Sequence, residues 1–237
     1  MISDEIFKSS NLCLPTNPPD IQPCAALWSD CIVNRIGIIL AVVLMVGGLR
    51  NYLRLMPDIW DCVSRSRGSI RLEHSVSTAR SRDIAALILV LPFCLVVDRF
   101  GMYPADFVLS ASAIWRLPVT LGIVAGYLVL RDIALALSGR RLGRGDLRSA
   151  AHNTLLNYFI ALCTVMLPSV GIILLTGTPE GTASTILLVE TGAFYLFSTL
   201  RTIQILGSGH SVLSTFLYLC ALEFLPAGAL VAAALVI

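Results

Sequence analysis

Apolar residues in this chain follow neither the strand period nor the one-sided helix period. They come in long unbroken runs separated by short charged or turn-forming segments. A run of about 20 residues is what a helix needs to cross a hydrocarbon core of about 30 Å. The runs predict helices over about 32–53, 84–100, 113–137, 154–175, 183–206 and 211–237, forming a transmembrane domain over 32–237 after an arm over 1–31. Asn34-Arg35 and Arg50 bound the first helix. Asp98-Arg99 closes the second just after the uncharged run Ile84 to Val97. Arg116 and Arg131-Asp132 lie near the two ends of the third, and the fourth is uncharged from Asn153 through Pro179. Pro92 and Pro168 predict kinks that neighbouring helices can satisfy. The expected fold is an all-α polytopic membrane protein, a bundle of six transmembrane helices.

Composition agrees with that reading and excludes others. Of 237 residues, 56% are hydrophobic and only 14% charged, too apolar for a soluble domain. Every basic residue except Lys8 is an arginine, and the arginines concentrate in two connections. Arg50, Arg54, Arg65, Arg67, Arg71, Arg80 and Arg82 lie in the first, and Arg140, Arg141, Arg144 and Arg148 in the second. This is a topology signal rather than a nucleic-acid footprint, and nucleic acid is excluded as a partner. It places both connections in the cytoplasm and both termini outside, in the periplasm if the cell has two membranes. In a two-membrane bacterium the membrane concerned is then the inner one. The Met56-Pro57-Asp58-Ile59-Trp60 stretch reads as a proline-started turn with Trp60 at the membrane surface.

The arm holds Asp4, Glu5, Asp20 and Asp30 and no apolar core, so no cleaved signal is expected and the first helix inserts by itself. Pro15, Pro18, Pro19 and Pro23 predict an extended course, with a short helical turn around Ala25 to Trp28. Among Cys13, Cys24 and Cys31, one disulfide could close or all three could stay reduced. Cys62 falls in the first loop, and Cys94, Cys163 and Cys220 in apolar runs, as small buried hydrophobes. Gly47-Gly48 and the Gly122-x-x-x-Gly126 spacing allow close helix contact.

Candidate chemistry is confined to charges within apolar runs. Glu223 falls near the bilayer midplane of the last helix, and Pro226 after it frees the Leu222 carbonyl one turn earlier. Glu190 is expected nearer the outer face. Arg201 and Arg131 start near the inner surface and are long enough to reach inward toward Glu223. Such a set serves as a proton or cation relay or as a buried pair fixing helix register. His74, His152 and His210 stand one per inner connection, without metal-ligand spacing. No nucleophile elbow, phosphate loop or zincin helix is present, so no enzyme, metal or cofactor is expected.

Leu217-Tyr218 followed by Cys220-Ala221-Leu222-Glu223 and Pro226, together with the Met166-Leu167-Pro168 kink and the basic first loop, resembles an uncharacterised family of multi-pass inner-membrane proteins in Bacteroidota. The resemblance adds Tyr218 and Cys220 to the candidate residues and implies a fold family and a membrane location, with no activity attached. Ala227-Gly228-Ala229 departs from the family's bulky aliphatic run after the proline. Two functions are expected on these grounds. One is a non-enzymatic subunit or assembly factor of a cell-envelope complex; the other is a small transporter or lipid-handling protein using Glu223. The expected partners are membrane lipids and either a partner protein or a second copy.

Overall fold

The computed structural model describes residue 28 and residues 31–64, 76–103, 105–109, 111–142, 145–207 and 225–236. The elements among them are α1 (Ile32–Ser64), α2 (Val76–Arg99), the single turn α3 (Asp106–Leu109), α4 (Ala113–Leu142), α5 (Gly145–Thr176), α6 (Glu180–Gly207) and α7 (Leu225–Val236). Four of them, α1, α4, α5 and α6, are long and apolar enough to cross a membrane. The second predicted span, α2, is long enough but carries charge at both ends of its apolar run. Of the sixth, only α7 lies among the described residues.

Most helices outrun their predicted ends because an arginine does not stop a helix. Arg50 was expected to close α1, which instead continues through Pro57 to Ser64. The proline-started turn expected at Met56 to Trp60 is thus part of α1, and Cys62 is a buried helical residue rather than a loop thiol. Likewise α2 begins at Val76, and α4 and α5 extend toward each other to Leu142 and Gly145. Arg and Lys have good helix propensity and carry their charge away on long stems, so a helix leaving the hydrocarbon has no reason to end there.

The two tight turns are built alike. Gly101 and Gly177 adopt φ of 56° and 62°, and the next amide closes a Schellman bond, from Met102 to the Val97 carbonyl at 3.1 Å and from Thr178 to Ile173 at 3.3 Å. Both turns lie at one end of the bundle, here called the turn end; the other, where the arginines collect, is the basic end. Trp28 reaches Asp98 and Tyr103 reaches the Leu230 carbonyl, so the residue before α1 and the helix α7 both sit at the turn end.

Helix α2 is the interior element, packed against α1, α4 and α5, while α5 also carries α6 on its other side. Near the basic end the core is Leu55 and Ile59 of α1, Ala85 and Leu89 of α2, and Ile160, Ala161 and Cys163 of α5. Toward the turn end it becomes Val96 and Phe100 with Leu162, Met166, Ala183 and Leu187. Helix α1 turns its small residues inward. A Cβ on Gly37 would lie 2.9 Å from Leu117, and one on Gly48 would lie 2.7 Å from Ile88. The other faces present Ile36, Ile39, Val43, Val46, Leu175, Val189 and Phe197 outward. In water such a surface would aggregate, whereas hydrocarbon is its natural solvent.

Candidate functional site

Polar side chains inside this bundle fall at three levels. At the turn end, Trp28 Nε1 donates to Asp98 Oδ2 at 2.7 Å, and the Arg99 guanidinium lies 5.9 Å from the centres of both the Trp28 and Phe100 rings. Arg99 also pairs with Glu180 at 2.9 Å, and Asn34 Nδ2 donates to the Trp28 carbonyl at 3.0 Å. Together these contacts tie the start of α1 to the end of α2 and the start of α6. Beside them, burial pushes the Tyr103 hydroxyl above its ordinary range.

At mid-bundle the Glu190 carboxyl of α6 faces Ser169 of α5, whose hydroxyl donates to its own Val165 carbonyl at 2.9 Å. Glu190 Oε1 is buried without a hydrogen-bond partner. On the far side of α5, Tyr52 of α1 meets the Thr164 hydroxyl, which in turn bonds the Ile160 carbonyl at 2.6 Å.

The third level follows from the second. Because α5 and α6 run antiparallel, moving about 18 Å from the Ser169–Glu190 contact toward the basic end reaches Asn157 on one helix and Thr202 on the other. Both are buried, as are Thr154 and Ser198 one turn away from them. Arg201 stands on the same face of α6, three residues beyond Ser198. Its Nη2 crosses to the Cys62 carbonyl of α1 at 3.4 Å, its Nη1 meets Gln204 at 3.0 Å, and Tyr158 lies within electrostatic range. Arg201 Nε, Ser198 Oγ and Asn157 Oδ1 are buried without hydrogen-bond partners. Arg131 of α4 is 1% exposed and engaged. At 1.5 Å per residue, Arg201 lies about 31 Å from Glu180 and Asn157 about 28 Å from Thr176. The outer two levels are thus separated by about the thickness of a hydrocarbon core.

Among the described residues, apolar packing separates the second and third levels. Phe194 lies one turn from both Glu190 and Ser198 and packs against both cores. An apolar plug therefore separates the mid-bundle carboxyl from the basic-end layer.

Of the residues singled out in the sequence, Glu223, Tyr218 and Cys220 lie outside the described residues, as do His74, His210, Cys13 and Cys24. Pro226 is buried and lies in α7, and the turn before it, with the Leu222 carbonyl, lies outside the described residues. Glu190 lies on α6 about midway between Glu180 and Arg201. Arg201 spends its reach sideways on α1, and Cys31 is a free thiol 3.5 Å from the Ala113 carbonyl. Gly122 and Gly126 face outward, and a Cβ on either would meet nothing within 4 Å. Among the described residues no three His, Cys, Asp or Glu side chains converge to hold a metal. The sequence reading missed Asn157, Ser198 and Thr202, although polar residues three or four apart in an apolar helix mark its inward face.

Residues 34–234 match the family described as a domain of unknown function (DUF4271). No curated protein and no solved structure matches the chain.

Proposed function

We propose that this chain, which belongs to the DUF4271 family of unknown function, is a multi-pass protein of the bacterial inner membrane serving as a non-enzymatic subunit or assembly factor of a cell-envelope complex. The observation that carries the proposal is the Gly122–Gly126 face of α4. It is exposed, and among the described residues nothing occupies it, while the glycines at Gly37 and Gly48 are already filled by neighbouring side chains. Small residues facing outward from a membrane helix allow a second helix to come close, and close packing drives association where water cannot. The topology goes with it: the basic end belongs in the cytoplasm by the positive-inside rule, which puts Trp28 and α7 on the outer side. Six spans with both termini periplasmic complete this arrangement.

The transporter reading draws on the buried Glu190 Oε1, but the plug at Phe194 weighs against it. The test is gentle purification of tagged protein from native membranes, with the retained proteins identified by mass spectrometry. Wild type is expected to retain a stoichiometric partner, and Gly122→Leu/Gly126→Leu to lose it while melting at the wild-type temperature. Purification of the wild type alone, or a partner retained by the leucine variant, overturns the proposal.

A further inference from the structure

We propose that Arg201 holds the phosphate of one anionic phospholipid of the inner leaflet, in a crevice between α1 and α6. The proposal rests on the basic end lying at the inner leaflet, but not on the partner proposed above.

The first observation is electrostatic. Arg201 is half-buried at the level where a hydrocarbon core ends, and its two hydrogen-bonded partners, the Cys62 carbonyl and Gln204, are both neutral. Its Nε donor is buried with no partner, and so is the Ser198 hydroxyl on the same face, one turn earlier. A guanidinium in such a place attracts an anion with several acceptor oxygens, and a phosphate bonds it in the two-pronged geometry that a carboxylate also uses. The Cys62 bond fixes the guanidinium across the crevice, so its direction is set before any ligand arrives.

The second observation is shape. Helices α1 and α6 each pack along α5, and their described contact runs through Arg201 rather than along their lengths. On the turn-end side of Arg201, α6 exposes Leu196, Phe197 and Leu200. A lipid with its phosphate at Arg201 therefore lays its chains along apolar surface in the direction in which inner-leaflet chains point. A soluble phosphate would gain the charge contact and none of this surface, so the lipid is the occupant that fits both features.

The experiment is native mass spectrometry of the full chain released from vesicles of phosphatidylglycerol mixed with phosphatidylcholine. Wild type is expected to retain one phosphatidylglycerol per chain, and Arg201→Gln to retain it about tenfold less, the change expected for one charge-assisted contact. Arg54→Gln removes an exposed charge of the same basic end and is expected to retain the lipid as wild type does. Arg201→Lys, which preserves charge and folding but lacks the planar fork, is expected to fall between. Equal retention by wild type and both Arg201 variants, or an equal loss from Arg54→Gln, overturns the site. Labelling Cys31 with a membrane-impermeant maleimide from the outer side tests the orientation separately, so a failed topology is told apart from a failed site.

Discussion

Replacing Trp28 with Phe tests the contact that ties the start of α1 to the end of α2. The substitution deletes the Nε1 donor 2.7 Å from Asp98 Oδ2 and keeps an aromatic face under Arg99. A hydrogen bond to a charged group contributes about 1.5–3 kcal/mol, and a part-buried one belongs at the low end, so the expected cost is about 1.5 kcal/mol. The retained Arg99 stacking is worth about 0.5–1 kcal/mol and does not change. The Arg99–Glu180 pair has side chains 36% and 75% exposed. Solvent screening limits it to about 0.5 kcal/mol, so Glu180→Gln is expected to be milder than Trp28→Phe. Asp98→Asn keeps an acceptor but halves the bond, and a Trp28→Phe/Asp98→Asn cycle should therefore show a coupling of about 1 kcal/mol. The readout is the midpoint of reversible denaturation in detergent micelles. A coupling indistinguishable from zero, or a larger loss from Glu180→Gln than from Trp28→Phe, would refute the order of strengths argued here.

Three further outcomes are expected. Gly37→Leu should cost about 1–3 kcal/mol by overpacking against Leu117 and Leu95, whereas Gly47→Leu, which meets open space, should be near neutral; equal melting temperatures would sink the close approach. Tyr52→Phe should cost about 1 kcal/mol, because Thr164 keeps its bond to the Ile160 carbonyl and is not orphaned; a wild-type denaturation midpoint would show that the contact contributes nothing. Burial raises the Tyr103 hydroxyl in the folded chain, so its contribution is present at neutral pH and is lost as pH rises through the ordinary tyrosine range and past the folded value. Loss of the bond to the Leu230 carbonyl should then loosen α7 in hydrogen exchange, and Tyr103→Phe should show that looseness at neutral pH; an α7 indifferent to both changes refutes the link.

How much was legible in the sequence depended on what each residue type reports. Run length gave the cores of α1, α4, α5 and α6, since only hydrocarbon rewards so many apolar residues in a row. It did not give their ends: Arg50, Arg131 and Asn153 mark where a helix leaves the apolar layer, and hydrogen bonding carries the helix onward. Nor did it give the inward faces, because a helix apolar all round has no hydrophobic stripe. The informative signal was instead in small and polar residues, with Asn34, Gly37, Ala41 and Gly48 lining one side of α1, and Ser198 and Thr202 one side of α6. Gly122 and Gly126 carry the same spacing yet face outward, so spacing alone does not say whether the partner helix belongs to the same chain. Glu190 was singled out as an intramembrane carboxyl, and its level in the bundle came only from its register with Ser169.

The interior position of α2 bears on how the chain is made. Its uncharged stretch, Ile84 to Val97, covers about 21 Å of helix against a core of about 30 Å, and oppositely charged pairs, Arg82-Asp83 and Asp98-Arg99, stand at its two ends. The helix most enclosed by others in the finished bundle is thus poorly equipped to leave the translocon alone. A charge drawn toward the bilayer centre costs about 2.5–3.5 kcal/mol on insertion scales, so α2 should partition only once α1 offers Gly37, Ala41 and Gly48 as a docking surface. In a cell-free insertion assay, a fragment ending after residue 112 should hold α2 across the membrane, and replacing α1 by a polyleucine span should release it. Biogenesis would then proceed by helical hairpins, the least hydrophobic member of the first pair being carried in by its neighbour.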